Sequence, residues 1–159
     1  MATVKPIPEG NHSITPGLVV KNARKAIEFY KNAFGAKELD VMAGPDGQSV
    51  MHAELKIGDS KFYLGDEFPE MGAVSPQTLG GSGVSINIYT EDCDAMFKRA
   101  VAAGATVKMP LADMFWGDRY GKLSDPFGHT WGIATHQEDV SEEEMEKRGK
   151  EWMASMAKQ

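Results

Sequence analysis

Gly17-Leu18-Val19-Val20 leads into a helical stretch ending at Phe34-Gly35-Ala36, and Val84-Ser85-Ile86-Asn87-Ile88-Tyr89 leads into a second ending at Ala103-Gly104-Ala105. A strand-then-helix unit met twice in one chain marks an internal repeat, which constrains the architecture before any chemistry is considered. Each unit is followed by strand-like segments, so the pattern predicts two βαβββ modules, at 12–67 and 84–136, in one compact α+β domain. Their sheets would bound a shared concave surface, and that surface is the place to look for a site.

Working outward, Asn22 can cap a helix in which Ala23, Ala26, Ile27, Tyr30, Ala33 and Phe34 recur at helical spacing, with Gly35 as its stop. Asp92 can cap the second, with Cys93, Met96, Phe97, Ala100 and Val101 as its apolar stripe and Gly104 as its stop. The first strand reads over 14–20 and is interrupted by Pro16-Gly17, which suits an edge or a bulge. Residues 50–57 alternate most clearly: Met51, Ala53, Leu55 and Ile57 share one face, and His52, Glu54 and Lys56 the other. Further strands read at 37–42, 61–65, 106–110, 120–124 and 130–135, and 113–121 reads as a loop. Residues 68–83, rich in Pro and Gly, form the linker, and 1–11 a loose arm. Ser141-Glu142-Glu143-Glu144 is a capping box opening a final helix over 141–157. Its modest stripe of Met145, Trp152, Met153 and Met156 would pack on the body or on a second subunit, despite Gly149 in its middle.

The totals narrow the function. A chain of 159 residues with 42% apolar and 25% charged side chains is ordinary for a globular domain. Its net charge of −6 opposes the basic footprint of a nucleic-acid or membrane-surface binder. Cys93 is the single cysteine, so no intrachain disulfide forms, and with no secretory-type leader a soluble protein of the reducing cytoplasm is expected. Gly-x-Ser-x-Gly, the phosphate-cradling Gly-Lys-Ser/Thr and the dinucleotide fingerprint are all missing from the sequence. No histidine pair has zinc-site spacing.

Three groups could carry chemistry. His52 and Glu54, two apart on a strand, read either as a ligand-binding or acid/base pair or as the wetted polar face of a half-exposed strand. Asn87 shares a strand face with Ser85 and Tyr89, and its amide can read a substrate carbonyl or amine or tie down a loop. Phe115-Trp116-Gly117-Asp118-Arg119-Tyr120 sets aromatic faces beside charges. Trp116 would stack and Arg119 would clamp an anion by its fork, unless Asp118 and Arg119 pair with each other or cap backbone groups. Asp125-Pro126-Phe127-Gly128 reads as a structural β-turn.

On Ala26-Ile27-Glu28-Phe29-Tyr30, Met51-His52-Ala53-Glu54-Leu55, Phe115-Trp116-Gly117-Asp118-Arg119-Tyr120-Gly121 and Asp125-Pro126-Phe127-Gly128-His129-Thr130-Trp131, the chain resembles the vicinal oxygen chelate superfamily. That group includes glyoxalase I, bleomycin-resistance proteins and extradiol dioxygenases, and the closer likeness is to its PhnB-like branch. The resemblance implies paired βαβββ modules forming a U-shaped mixed sheet, commonly completed in a homodimer. It also implies four His or Glu metal ligands, at positions falling here on about Thr15, Tyr63 or Leu64, Val84 or Ser85, and Gly132, none of them a good ligand. The expectation is therefore a metal-free, cytoplasmic homodimer binding a small organic molecule through His52, Glu54, Asn87, Trp116, Asp118 and Arg119. His52 would be a donor or general base and Glu54 its partner. The alternatives are a divalent-metal lyase, isomerase or dioxygenase with ligands relocated around His52 and Glu54, and a protein-interaction module using the acidic final helix.

Overall fold

Each of the two long amphipathic helices lies across one face of a four-stranded mixed sheet in the computed structural model, which describes residues 4–157. Residues 1–3 of the expected arm lie outside the described residues. Module one runs β1 (Gly17–Val20), α1 (Ala23–Phe34), β2 (Lys37–Ala43), β3 (Val50–Ile57), β4 (Ser60–Asp66), in sheet order β1-β4-β3-β2. After a 3-10 turn (Pro69–Met71) and the short α2 (Pro76–Leu79), module two repeats the order. It comprises β5 (Ser85–Tyr89), α3 (Cys93–Ala103), β6 (Thr106–Asp113), β7 (Asp118–Ser124) and β8 (Thr130–His136), ordered β5-β8-β7-β6. The first and last strands of each module pair in parallel and the other neighbours antiparallel. A final helix, α4, spans Glu142–Met156. No helix among the described residues is long and apolar enough to cross a membrane.

Local chemistry sets the element ends. The side chains of Asn22, Asp92 and Ser141 accept the N–H of Lys25, Ala95 and Glu144, satisfying donors that the first helical turn leaves free. Gly35 and Gly104 stop α1 and α3 in the left-handed region. Asp66 accepts from the N–H of Ala23 at 2.7 Å and of Val50 at 2.8 Å, tying β4 to the starts of α1 and β3.

The modules meet through α1 against α3 and through one buried carboxylate. Asp125, in the β7–β8 turn, is 5% exposed. It accepts the Tyr30 hydroxyl at 2.7 Å, the Trp131 indole N–H at 2.8 Å, and the backbone N–H of Phe127 and His129 at 2.9 Å each. Tyr30, Phe34, Phe62, Phe127 and Trp131 pack around it. Leu55, Leu64, Leu123 and Ile133 complete a buried core in which each such side chain contributes about 1.5–3 kcal/mol. His129 Nε2–H donates to the Val19 carbonyl at 2.9 Å, a second link between modules. No ladder joins the two sheets among the described residues, so β1 and β5 are free edges.

Three readings change. The first strand begins at Gly17, not near residue 14: Pro16 has no N–H to give, although its carbonyl accepts from Tyr63 N–H at 2.8 Å, and Ile14 is 85% exposed. The loop read over 113–121 contracts to a tight turn, because β6 runs to Asp113 and β7 starts at Asp118. Pro110 is tolerated because β6 is an edge strand whose register shifts between Met109 and Ala112. On α4 the contacts with Phe115 come from Trp152, ring centres 5.6 Å apart, and from Gly149, where an added Cβ would lie 3.4 Å from the ring, while Met153 and Met156 stay exposed. The glycine that seemed to break the stripe is what lets the helix come close.

Candidate functional site

Strand alternation leaves one face of each sheet uncovered by helices. On β7, Leu123 is fully buried and an added Cβ at Gly121 would meet Phe97 of α3, so 119, 121 and 123 face the helices. Asp118, Tyr120 and Lys122 therefore share the open face. Across the ladders, Asp118 lies opposite His136, Tyr120 opposite Ala134 and Lys122 opposite Gly132, and Gly132 in turn lies opposite Asn87 of β5.

Asp118, 4% exposed, organises this face. It accepts the His136 Nδ1–H at 2.7 Å, the Tyr89 hydroxyl at 2.8 Å and the Trp116 indole N–H at 3.0 Å. Burial pushes its carboxyl up, but these three donors outweigh burial and hold it below the usual range. His136 donates its other ring N–H to Asp139 at 2.9 Å; hydrogen bonds to Asp118 first, and then Asp139, raise its pKa. In its protonated form the imidazole has both N–H groups engaged by carboxylates and no lone pair to offer as a base. The bond to Asp118 likewise raises the Tyr89 phenol.

The wall is aromatic. Trp116 meets Tyr120 edge-on with ring centres 5.8 Å apart, and Phe115 at 5.1 Å; Phe115 is backed by Trp152 of α4 at 5.6 Å. The Tyr120 hydroxyl donates to Asn87 Oδ1 at 3.4 Å, so both side chains lie over Gly132. A Cβ at Gly132 would strike Asn87 Oδ1 and come within 2.8 Å of the Tyr120 ring, so this strand position needs its glycine.

The structure thus brings Asn87, Trp116 and Asp118 together, but it separates them from His52, Glu54 and Arg119. His52 and Glu54 lie on the open face of sheet one, with His52 Nε2 3.8 Å from Glu54 Oε1, and Glu54 is 3.7 Å from Lys61 Nζ. The His52 ring sits 4.8 Å from that of Tyr63, beside a cavity of about 350 Å³ bounded by Val19, Phe68 and Met71. Arg119, expected as an anion clamp on the same rim, is corrected to the helix face. Its guanidinium is spent on Asp94 at 2.7 and 2.8 Å and on Asp113 at 3.1 Å, and Asp118 and Arg119 do not pair. Adjacent residues of a strand point to opposite faces, so the two could never share a rim once this segment is strand. Tyr120 joins the site from the aromatic segment, and Lys122 and His136 join it unannounced. Alternation counted forward from Asp118 would have found Lys122; His136 pairs across the sheet, where spacing carries no signal.

A separate cavity of about 680 Å³ follows the free edge of β5 toward the β3–β4 turn, touching Asn87, Tyr89, Ile14 and Trp131. The residues present do not fit a divalent metal. Tyr63 holds the Asn11 amide at 2.6 Å, Leu64 is buried, Gly132 has no side chain, and both nitrogens of His136 are engaged by carboxylates. Among the described residues no three His, Cys, Asp or Glu side chains form a metal-holding group.

The family model for the Glyoxalase/Bleomycin resistance protein/Dioxygenase superfamily matches residues 11–133. An uncharacterized protein of Mycobacterium bovis is 43% identical over 137 residues, which cover 84% of this chain and 90% of that one. The X-ray structure of a gene product from Arabidopsis thaliana superposes with a TM-score of 0.63 at 32% identity, covering 77% of this chain and 98% of that one. The PhnB protein from Bacillus cereus, with a TM-score of 0.59 at 18% identity over 78% of this chain and 99% of that one, shares the fold.

Proposed function

This chain belongs to the glyoxalase/bleomycin resistance/dioxygenase superfamily, and we propose that it binds a small, partly aromatic organic molecule on the open face of sheet two without the family's divalent metal. The observation that carries this reading is the Asp118 hub. Three donors from three separate segments are locked onto one nearly buried carboxylate. The result is a rigid wall that loses little freedom when a ligand arrives. Trp116 and Tyr120 supply faces and edges for a flat ring, and Asn87 supplies a polar group at its border.

The protein acts as a cytoplasmic homodimer in this proposal. The free edges β1 and β5, with Ile14, Val84 and Tyr89 exposed along them, support it. Setting sheet one of one protomer beside sheet two of its partner would bring the two open faces, and with them His52 and Glu54, into one cleft.

The test is an amide and side-chain N–H NMR titration of the full chain with a set of bicyclic aromatic fragments built on naphthalene, quinoline and indole. Binding should move the Trp116 indole N–H and the Asn87 side-chain NH₂ while leaving the Trp131 indole, sealed against Asp125, in place. Absence of any fragment that moves Trp116 or Asn87 would overturn the reading.

A further inference from the structure

On the open face of sheet two His136 is held by carboxylates, whereas Lys122 is not. His136 sits between Asp118 and Asp139, and the nearby Arg119 faces away onto Asp94 and Asp113. Lys122 is half-buried, points to the same face as Tyr120, and pairs with no carboxylate among the described residues. A fold that needed only the lysine stem at this position could use an apolar chain, as the opposite residue Met109 does.

A second donor lies in the same cross-strand row. Lys122, Gly132 and Asn87 form one row across β7, β8 and β5, so the lysine and asparagine backbones are about 10 Å apart, with the Tyr120 ring lying over the glycine between them. Asn87 Oδ1 is occupied by the Tyr120 hydroxyl, while its NH₂ donates to no group among the described residues. An unspent ammonium and an unspent amide NH₂ thus belong to one cross-strand row of the open face, beside the Tyr120 ring. The nearest fixed negative charge on the same strand, Asp118, is four residues and about 13 Å away along β7.

We propose that Lys122 and Asn87 form the anion end of the binding face, so that the ligand is an aromatic carboxylate: its ring against Trp116 and Tyr120, its carboxylate on Lys122 Nζ and Asn87 Nδ2. The inference rests on the binding reading above and names the ligand class that reading left open. It also moves the anion clamp expected at Arg119 three residues along the strand, to a side chain that is free to serve. A charge-assisted contact of this kind is stronger than a neutral one, and it is screened by salt where it reaches solvent.

The experiment compares 2-naphthoate with the uncharged, near-isosteric 2-naphthamide by NMR titration and calorimetry, on the full chain and on Lys122→Gln and Lys122→Arg. The expected result is at least about tenfold tighter binding of the naphthoate, a preference of the size one charge-assisted hydrogen bond supplies. Lys122→Gln should reduce the two ligands to near parity, Lys122→Arg should restore the preference, and added sodium chloride should weaken only the naphthoate. Equal binding of both probes to the unmodified chain, with Trp116 perturbed, would keep the binding reading and overturn the anion end. A preference undiminished in Lys122→Gln would also overturn it. Failure of both probes to move Trp116 would overturn the two readings together. Lys122→Gln has no pairing to lose, and an unchanged melting curve confirms that its result reports on binding.

Discussion

Sheet one and sheet two are built from the same βαβββ unit, in the same strand order, yet their open faces are wired differently. On sheet one, His52 and Glu54 approach only to 3.8 Å, Glu54 leans toward Lys61 at 3.7 Å, and Asn11 from the arm holds Tyr63. On sheet two, Asp118 is nearly buried and engages three donors between 2.7 and 3.0 Å. The turns behind these faces differ in the same way. Gly58-Asp59 between β3 and β4 is an exposed two-residue turn, whereas Asp125 between β7 and β8 is a sealed hub reaching Tyr30 of the other module. A duplicated backbone therefore does not imply duplicated chemistry: module two holds the fixed polar network and module one a loose polar face.

The largest expected effect tests that contrast at the turns. Asp125→Ala leaves the Tyr30 hydroxyl, the Trp131 indole N–H and two backbone N–H groups unsatisfied in the interior, and should cost about 3–5 kcal/mol in denaturant unfolding. Asp59→Ala removes an exposed carboxylate bonded only to Ser60, and the same measurement should leave the midpoint where it was. Similar losses at the two turns would break the comparison.

Next in size is the hub on the open face. Asp118→Asn keeps the shape but removes the charge and turns one acceptor into a donor facing a donor. We expect a loss of about 1–2 kcal/mol, together with broadening of the Trp116 indole signal, because that ring loses its anchor. Naphthoate binding should weaken in the same variant even though Asp118 need not touch the ligand. A rigid Trp116 in Asp118→Asn would show that Phe115 and α4 suffice to hold it.

His136 gives a pH signature. Its pKa is raised, by Asp118 first and Asp139 second, so its contribution to stability is fully present below about pH 6.5, the unperturbed histidine value, and fades as pH rises through the folded-state pKa. Asp118, held low, acts in the opposite direction: its contribution is present above its unfolded value and lost as pH falls through the native one. An NMR titration of the imidazole C–H signals should place the His136 midpoint above pH 6.5 and move it down in Asp118→Asn. A His136 midpoint that ignores the substitution would remove the hub's electrostatic role.

Much of this architecture was legible in the sequence because its signals are local. Asn22, Asp92 and Ser141 announce helices at fixed offsets, Gly35 and Gly104 end two of them, and alternation from His52 to Ile57 assigns β3 its faces, although a register shift at Met51 puts Val50 in the core and leaves Met51 exposed. The segment 113–121 was opaque for an equally physical reason. Pro110, the turn glycine Gly117 and four aromatic or charged neighbours mask a two-residue period that is present from Asp118 onward. The hub itself could not be read, since Tyr89 and His136 reach Asp118 from 29 and 18 residues away, and no spacing rule links residues joined only by register across parallel and antiparallel ladders.

The smallest expected effect lies on sheet one and is the sharpest test of how the two faces relate. His52 is 40% exposed at its side chain and Glu54 30%, with no hydrogen bond between them, so their ion pair is of the kind that contributes little. His52→Ala and Glu54→Gln should each change unfolding free energy by no more than about 0.5 kcal/mol. Their effect on naphthoate binding is the informative quantity. Within one chain the two open faces share no ladder, so a lone protomer predicts no change in affinity. A homodimer that sets sheet one of one protomer beside sheet two of its partner predicts a several-fold change, and one that disappears as the protein is diluted to monomer in analytical ultracentrifugation. A stability-neutral substitution that alters binding only at dimer concentrations would place His52 in a composite cleft; one that alters neither would leave module one as scaffold, with the site confined to sheet two.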